Sequence, residues 1–540
     1  MTIQLLTDAR YGRYTIPAGR IVSVFDSATE AGLISAKQAI ASAAAVTWTV
    51  PDETPIYDQL NPAEVRQARA LVSVHGIQAA NRAVLFGDSI TQYNNATVSN
   101  ATANQSRGYM TWANALLGRR RLDVVANLGV GGDTTEMMLA RVSAAAAVQA
   151  SWAVVLGGIN DLAGNLYAPA VVTTNLQAIY EALRASGKRV VAITILPPTA
   201  AHPLYTRGLM GRIQQVNRWI KTYCAATPGM IVVDGCAAVT DPASSDSAPV
   251  SGYYADTTHI GTLGAYYVGK ALADGVRSLI APLDEGPTGV GDSYLAAQRT
   301  LTSLTGDGTT ATATLAAHNL LPGDAITLEG ATPAGYNGSW VVASAPATNT
   351  YTFACSAASG VATGTIKVSN NDQILDDPLF GSSQTAGLAS AWTKYENNTS
   401  TTTTNNLRSD GLGRWQQLAI TAGGAGDVYL QGGDYITRVF AGDTVVMEVE
   451  VEVDAGHTSL EGVQAAINMI VGGTTITPTA FNRLAGSSMP SAAWSGLLRT
   501  EPFTIPAGAV TRCRPQLRAF FGAAGSATVR FGRASLRKVR

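Results

Sequence analysis

The chain has 540 residues, of which 46% are hydrophobic and 14% are charged, and its formal net charge is -1. This length predicts three or four domains, and the hydrophobic content is sufficient for buried cores. A nearly neutral chain gives no support for nucleic acid or an anionic membrane surface as a partner. No apolar run approaches the length of a membrane span, so no membrane insertion is predicted.

The first residues and the cysteines narrow the class of protein further. Residues 1–10 lack a basic stretch followed by an apolar core, so no secretory signal is predicted. The cysteines have neither metal-ligand spacing nor the pattern of a disulfide framework. We therefore expect no metal and no cofactor. The four cysteines are Cys224, Cys236, Cys355 and Cys513.

Residues 1–78 are interpreted as an N-terminal segment for assembly and packing. A strand-like pattern over 14–24 is followed by an alanine-rich stretch typical of a helix. Asn61 then resembles a helix cap, with Pro62 at the first helical position and Glu64 reaching back to the cap. The segment contains no cluster of catalytic residue types, so we expect it to contact other proteins of an assembly.

Residues 79–284 alternate between strand and helix patterns. Strands separated by helices of this length predict a parallel α/β sheet with right-handed crossovers. The carboxyl ends of such strands meet at one edge, where ligands bind. Strands are predicted over 83–86, 123–127, 152–156, 189–195 and 230–234, and helices over 108–118, 134–149, 171–186, 209–226 and 260–280.

Residues 285–372 predict a Gly/Pro linker and a small all-β module, which resembles short β modules of bacteriophage tail proteins. Residues 373–540 predict a longer all-β unit, in which the threonine-rich run 397–406 is expected to be a loop. This unit resembles the jelly-roll sandwiches of carbohydrate-binding modules. Five aromatic residues in it have the chemistry to stack on sugar rings, although core packing is the commoner role: Trp392, Tyr395, Trp415, Tyr429 and Tyr435.

Four motifs occur in order along the predicted α/β segment. Gly87-Asp88-Ser89 ends the first apolar run, and Gly131-Gly132-Asp133 follows the second. Gly158-Ile159-Asn160 ends the third run, and Asp256 lies three residues before His259. A serine at a strand end is a candidate nucleophile that needs a base and oxyanion donors nearby. The order of the motifs allows all of them to meet at one sheet edge.

These motifs resemble the SGNH (GDSL-type) hydrolases, a family of esterases and deacetylases with a flavodoxin-like fold. The resemblance covers residues 80–284 and implies a strand order of 2-1-3-4-5. It implies a triad of Ser89, His259 and Asp256. It also implies an oxyanion hole made by the backbone N–H groups of Ser89 and Gly132 and the side chain of Asn160.

The histidine positions agree with this assignment. Of the five histidines, only His259 and His457 have an aspartate three residues before them. His457 follows a strand-like segment without recognisable oxyanion blocks, so we expect it to lie at the surface, and His202 is expected in a loop. A second Gly-Asp-Ser copy ends at Ser293 but follows a linker rather than a strand, which makes Ser293 a weak candidate.

The combination of an esterase segment with β modules favours a polymeric, acylated glycan as the substrate. Our leading hypothesis is a phage tail fibre or tailspike that removes O-acetyl groups from a bacterial capsule or lipopolysaccharide. We expect this protein to be a homotrimer in the virion tail, attached to other tail proteins through its N-terminal segment. The alternatives are an exported bacterial carbohydrate esterase of the acetylxylan type and a structural receptor-binding protein with a vestigial hydrolase site. We also expect a fragment of about residues 1–284 to hydrolyse small acetyl esters without the β modules. It should lose activity on the intact polysaccharide, because the β modules would supply avidity.

Overall fold

A computed structural model describes residues 81–96, 103–280 and 299–539, together with five short strands before residue 42. Short gaps inside these ranges fall at 119, 245–246, 319, 321, 323, 370–373, 376–379, 381–386 and 410–412. The chain divides into two compact units. One comprises residues 1–80 and 288–371, and the other comprises residues 81–287 and 372–540. The second unit contains the predicted catalytic motifs and both an α/β segment and an all-β segment.

A five-stranded parallel sheet forms the centre of the α/β segment. Its spatial order is 2-1-3-4-5 in terms of chain order, which is the order that the family resemblance implies. The first and third strands are continuous apolar runs, and their side chains are almost completely buried because helices cover both faces. The strands are Arg82–Gly87, Asp123–Gly129, Trp152–Leu156, Arg189–Ile193 and Met230–Val233.

All five predicted helices are present, but one of them is interrupted, and the short helices Ser89–Gln92 and Gly235–Val239 were not predicted. The predicted helix over 134–149 is divided in two, because the chain leaves the helical conformation at Arg141. A one-turn π-helix, Asn160–Gly164, was not predicted. The α-helices are Ser89–Gln92, Tyr109–Leu117, Thr135–Ala140, Val142–Ala147, Pro169–Ala185, Arg207–Ala226, Gly235–Val239 and Thr262–Val276, and a 3-10 turn spans Arg277–Leu279.

The other unit contains the small β module. Eight strands between residues 299 and 369 form one antiparallel sheet around a separate hydrophobic core that includes Leu304, Tyr336 and Phe353. A 3-10 turn spans Ala334–Tyr336. The strands are Arg299–Thr300, Ser303–Asp307, Thr310–Thr314, Ala325–Glu329, Gly338–Ala347, Thr350–Ala354, Ser359–Val361 and Lys367–Ser369.

The N-terminal residues of that unit contribute only short strands to the described structure. Ala39–Ala41 is a strand, so at this point the alanine-rich stretch does not form the predicted helix. The predicted helix start at Asn61, the linker at 285–298 and Ser293 lie outside the described residues. The strands are Ile3–Leu5, Ala9–Tyr11, Tyr14–Ile16, Ile21–Val22 and Ala39–Ala41.

Long antiparallel strands form the all-β segment that follows residue 387. They belong to one twelve-stranded sheet, which also includes two short strands of the α/β segment, Asn95–Ala96 and Ala103–Gln105. The remaining strands are Trp392–Leu407, Arg414–Gly432, Thr444–Val453, Leu460–Val471, Thr474–Ile476, Thr479–Asn482, Trp494–Arg499, Phe503–Thr504, Val510–Phe521 and Gly525–Val539.

The threonine-rich run 397–406 is a strand, and the predicted loop is wrong. It lies within Trp392–Leu407 and pairs antiparallel with Arg414–Gly432, with one bulge next to Asn398. Threonine is β-branched and favours extended backbone, and an edge strand tolerates polar side chains on its solvent face. A low-complexity composition therefore does not exclude a strand when a neighbouring strand supplies backbone partners.

The α/β and all-β segments of this unit pack against each other directly and share one continuous hydrophobic core. Trp112, on the Tyr109–Leu117 helix, is fully buried between rings of both segments. Its ring lies 4.8 Å from that of Phe481 and 5.0 Å from that of Trp494, in both cases edge to face. The expected independence of the α/β segment is therefore not supported, because removing the β segment would expose this apolar interface.

Gly496 provides a test of the shared core. A Cβ at this position would lie 2.8 Å from the carbonyl oxygen of Ala115 on the facing helix. We expect Gly496→Val to destabilise the whole unit by about 1–3 kcal/mol, because the added methyl groups force the helix and the strand apart. Thermal unfolding followed by circular dichroism measures the effect.

Ser495→Val, at the neighbouring exposed position of the same strand, is the matched control and should melt like the wild type. Equal melting temperatures for Gly496→Val and Ser495→Val would contradict the described packing of the two segments.

Candidate active site

The structure brings Ser89, His259 and Asp256 together, although Ser89 and His259 are 170 positions apart in the sequence. The Ser89 hydroxyl lies 2.8 Å from Nε2 of His259, and Nδ1 of His259 lies 2.8 Å from Oδ2 of Asp256. The other carboxylate oxygen of Asp256 accepts the backbone N–H groups of Thr258 and His259 at 2.8 and 2.7 Å. This is the arrangement that nucleophilic catalysis by serine requires.

The hydrogen bonds around Asp256 favour its ionised form. Burial by itself would raise the pKa of this carboxyl, but the N–H groups of His259 and Thr258 and the imidazole together hold it below its ordinary value. An ionised Asp256 fixes the proton of His259 on Nδ1. Nε2 is then left as an acceptor for the Ser89 hydroxyl.

Ser89 is the first residue of a helical turn that directly follows the first strand of the sheet. Asp88 caps this turn through a 3.0 Å bond from the Ile90 N–H to its side chain. The turn approaches the neighbouring strand so closely that a Cβ on Gly87 would lie 2.1 Å from the carbonyl oxygen of Leu156. The sharp exit from the strand leaves the backbone N–H of Ser89 without an acceptor in the helix.

The Gly131-Gly132 turn lies beside Ser89 at the end of the second strand. Gly132 has φ +84°, in the left-handed region that favours glycine, and a Cβ there would meet no atom within 4 Å. In this structure, the requirement for glycine therefore arises from backbone conformation rather than from lack of space. The turn is exposed, so an incoming carbonyl group can reach its N–H groups.

Asn160 follows the third strand and begins the π-helical turn. Its Nδ2 donates to the backbone carbonyl oxygen of Asp133, at 2.9 Å, which links it to the Gly132 turn. A side-chain amide has two N–H donors, so one remains for a substrate oxygen. Ser89, Gly132 and Asn160 thus follow three adjacent strands at the same sheet edge, as the motif order predicts.

The site geometry can be compared with known proteins. Residues 85–265 match the GDSL-like Lipase/Acylhydrolase family. This part of the chain is similar to GDSL-type hydrolases. The match begins within the first strand and includes the other four strands and the candidate triad.

Solved structures resemble part of the chain. A putative lipolytic protein from Desulfitobacterium hafniense is 17% identical, with 36% of this chain and 98% of that chain covered, at a TM-score of 0.29. A lipase/acylhydrolase from Enterococcus faecalis is 22% identical, with coverage of 37% and 98%, at a TM-score of 0.30. A mutant of an acetyl-xylooligosaccharide esterase from Geobacillus is 16% identical, with coverage of 37% and 96%, at a TM-score of 0.31. A search among curated proteins found no match.

Arg141 is a central residue of the α/β segment that the sequence motifs did not identify. Its Nη2 and Nη1 donate to the carbonyl oxygens of Gly87 and Leu128, at 2.8 and 2.7 Å. Its Nε donates to the carboxylate of Asp133 at 2.6 Å. The guanidinium thus connects the ends of the first two strands to the oxyanion loop. A cation six residues after the Gly-Asp-Thr-Thr segment is the only sequence signal for it.

The three aspartates of the motifs bind backbone and side chains of the loops and take no part in the triad. Asp88 caps the Ser89 turn, and Asp133 pairs with Arg141. Asp161 accepts hydrogen bonds from the N–H and the hydroxyl of Thr135, the first residue of the Thr135–Ala140 helix. Burial raises the pKa of Asp161, and the bonds from Thr135 oppose that rise.

The all-β segment supports the loop that carries His259. The hydroxyl of Ser487 accepts the N–H of Thr262, three residues after the histidine, at 3.3 Å. The hydroxyl of Thr262 lies 3.2 Å from the hydroxyl of Ser106. The Ser106 hydroxyl also accepts a hydrogen bond from the N–H of Leu484. The hydroxyls of Ser106 and Thr262 are buried. This chain of bonds fixes the loop that carries His259 to a loop of the all-β segment more than 200 residues away.

The other candidates from the sequence do not join the site. Nε2 of His457 lies 2.6 Å from the carbonyl oxygen of Pro490, and Asp454 pairs with Arg530 rather than with His457. His202 lies in a loop, where its Nδ1 accepts the N–H of Leu204. These contacts agree with the expected non-catalytic roles of both histidines.

The described residues also show the state of the cysteines and of possible metal ligands. All four cysteines are free and buried, and burial raises the pKa of the Cys224 thiol to about 11. No cluster of three or more potential metal-ligating side chains occurs in the described part of the chain. Among the helices of that part, none has the length and apolar character needed to cross a bilayer.

The burial of the Asp88 carboxyl predicts how the stability of the protein depends on pH. Burial raises the pKa of this carboxyl to about 7 from 3.8, the bond from Ile90 opposes the rise, and the charges of Asp161 and Asp133 add to it. Between these two values the folded protein keeps a proton that the unfolded chain has released. The stability of the wild type therefore falls as the pH rises from about 4 to 7.

Asp88→Asn retains a capping oxygen but cannot ionise. We expect its melting temperature, relative to that of the wild type, to increase between pH 5 and pH 7 and to level off towards pH 8. Differential scanning calorimetry at four pH values measures this difference, with Asp274→Asn on an exposed helix surface as the control. A difference that does not change with pH would show that Asp88 is ionised throughout this range.

Proposed function

We propose that the protein is a serine esterase in which Ser89 is the nucleophile, His259 is the general base and Asp256 orients the histidine. The single observation that carries this proposal is the continuous hydrogen-bonded chain from the Ser89 hydroxyl through the imidazole to the Asp256 carboxylate, at 2.8 Å for each step. The match of residues 85–265 to the acylhydrolase family supports the same reaction class.

In the proposed first step, His259 takes the proton of the Ser89 hydroxyl as the oxygen attacks the ester carbonyl carbon. The tetrahedral intermediate collapses when His259 returns this proton to the departing alcohol oxygen, which leaves an acyl group on Ser89. A water then attacks the acyl-enzyme with His259 again as the base. The acid is released, and Ser89 regains its proton. Asp256 stabilises the imidazolium in both steps.

We propose that the negative charge on the carbonyl oxygen is stabilised by the backbone N–H groups of Ser89 and Gly132 and by Nδ2 of Asn160. These donors are fixed before the substrate arrives, since Asn160 is bonded to the loop that contains Gly132. Fixed donors cost no reorganisation during the reaction. Arg141 contributes by holding the two strand ends and Asp133 in place.

The proposed substrate is an O-acetylated polysaccharide. The site lies at an open edge of the sheet, where the Asp256 side chain is 51% exposed and Val130 next to the oxyanion loop is 42% exposed. An open site admits an acyl group that projects from a large, polar polymer. The leading proposal for that polymer is a bacterial capsule or lipopolysaccharide, with the protein acting as a homotrimer in a phage tail.

Two alternatives predict different substrates. An exported carbohydrate esterase would release acetate from acetylated xylan, and a receptor-binding protein with a vestigial site would release it from no glycan. Acetate release should therefore be measured on purified capsule, lipopolysaccharide and acetylxylan at equal acetyl concentration. Faster release from acetylxylan would reject the phage-tail proposal, and a triad that hydrolyses no ester at all would reject the esterase.

Ser89→Ala should reduce hydrolysis of 4-nitrophenyl acetate to the background rate, because the variant lacks the attacking oxygen. His259→Ala should cause a loss of similar size, since base and nucleophile act as a unit. The rate is measured by release of 4-nitrophenolate, with circular dichroism as a check of folding. His457→Ala, which removes the other histidine with an aspartate three residues before it, is the matched control. If Ser89→Ala keeps near-normal turnover, another nucleophile operates.

Asn160→Ala tests the proposed oxyanion hole. The variant should lose about a hundredfold to a thousandfold in kcat with a smaller change in KM, because the donor acts on charge that develops in the transition state. Steady-state kinetics on the same ester measures both constants. Asn165→Ala, at the exposed end of the same π-helical turn, is the control. A change confined to KM would show that Asn160 binds the substrate only.

A further inference from the structure

The imidazole of His259 is in contact with an aromatic ring that is not part of the triad. The Tyr93 ring packs edge-on against it, with the ring centroids 5.1 Å apart. Tyr93 follows the helical turn that begins with Ser89, and its backbone N–H bonds the carbonyl oxygen of Ser89. The Tyr93 ring therefore borders the proposed catalytic centre.

The guanidinium of Arg107 packs over the face of the Tyr93 ring. Its guanidinium carbon is 3.4 Å from the centroid of the Tyr93 ring, which is a close stacking contact. Its Nε donates to the side-chain oxygen of Gln105 at 2.9 Å. The described structure contains no hydrogen bond from its two terminal nitrogens and no carboxylate within ion-pair distance of them.

This environment distinguishes Arg107 from other arginines of the same unit. Arg141, Arg483 and Arg518 each pair with a carboxylate, at 2.6, 2.9 and 2.7 Å. Arg107 instead presents a planar fork of N–H donors beside the site, half-buried and without a charged partner among the described residues. Such a fork matches the geometry of a carboxylate.

The loop that carries Arg107 is fixed before any substrate binds. The preceding residue, Ser106, is buried, its N–H bonds the carbonyl oxygen of Asn482, and its hydroxyl bonds Thr262 and Leu484. Stacking on Tyr93 fixes the guanidinium itself. An ordered cation loses little conformational entropy when it binds an anion, so the interaction is stronger than that of a free surface arginine.

We propose that Arg107 is a specificity-determining residue that binds a carboxylate of the substrate, so that the preferred esters are those of acidic sugars. The inference rests on the proposed esterase function and deepens it by naming the substrate class. The carboxylate lies next to the scissile ester on the alcohol side, where the guanidinium forms a bidentate pair with it. Ser89, His259 and the oxyanion donors carry out the reaction unchanged.

A matched pair of small esters tests the proposal. The first is 3-carboxy-4-nitrophenyl acetate, which carries a carboxylate on its leaving group, and the second is the corresponding carboxamide. The wild type should have the higher kcat/KM on the carboxylate ester after correction for the uncatalysed rates of the two esters. Arg107→Gln should lower kcat/KM on the carboxylate ester by about tenfold and leave the carboxamide nearly unchanged.

Two further variants separate binding of the anion from general charge effects. Arg107→Lys keeps the charge but lacks the fork, so it should retain only part of the preference. Arg218→Gln removes the same charge from an exposed position on the Arg207–Ala226 helix and should retain the full preference. Added salt should weaken the preference of the wild type and have little effect on Arg107→Gln.

The outcomes distinguish this inference from the proposed function. Equal losses on both esters in Arg107→Gln would show that Arg107 only supports Tyr93 and His259, and would overturn the inference while the esterase stands. A wild type without preference for the carboxylate would overturn it as well. If the wild type hydrolyses neither ester, the proposed function fails, and this inference fails with it. O-acetylated uronic acid oligosaccharides and their methylamides should show the same preference as the small esters.

Discussion

The candidate site depends on one half-buried cation at the edge of the parallel sheet. Arg141 binds the carbonyl oxygens at the ends of two neighbouring strands and the carboxylate of Asp133 at the same time. Ser89 follows one of these strands, and the Gly131-Gly132 turn follows the other. Because hydrogen bonds to a charged donor are stronger than those between neutral groups, this single side chain fixes the distance between Ser89 and Gly132.

Two carboxyl groups at the same sheet edge are costly to bury. Asp88 and Asp161 both have raised pKa values because burial disfavours their charged forms. Each nevertheless accepts a backbone N–H, at Ile90 and at Thr135, so the carboxyl groups shape the loops at the sheet edge. The unusual electrostatics of this region therefore belongs to the loops that position the triad, whereas Asp256 is held in the ionised form that His259 requires.

The all-β segment takes part in the architecture of the site. Trp112 is enclosed by rings from both segments, and Ser487 holds the loop that carries His259. Any role of the β segment in binding a polymer would therefore be combined with a structural role. A β segment that shares the hydrophobic core of the hydrolase domain can transmit its stability to the catalytic loop, which a flexibly linked module cannot do.

The sequence by itself determined the local features of this protein. Apolar runs that end at Gly-Asp-Ser and Gly-Ile-Asn predicted the strands and the edge at which Ser89 and Asn160 meet, because buried parallel strands have a distinctive pattern. The spacing of Asp256 and His259 identified the candidate base.

Tertiary structure alone decided the features that depend on distant partners. The run 397–406 is a strand because Arg414–Gly432 pairs with it. The α/β segment packs against the β segment because the ring of Trp112 contacts those of Phe481 and Trp494. Arg141 and Arg107 carry no motif, and their roles arise from three-dimensional neighbours that periodicity and spacing do not encode.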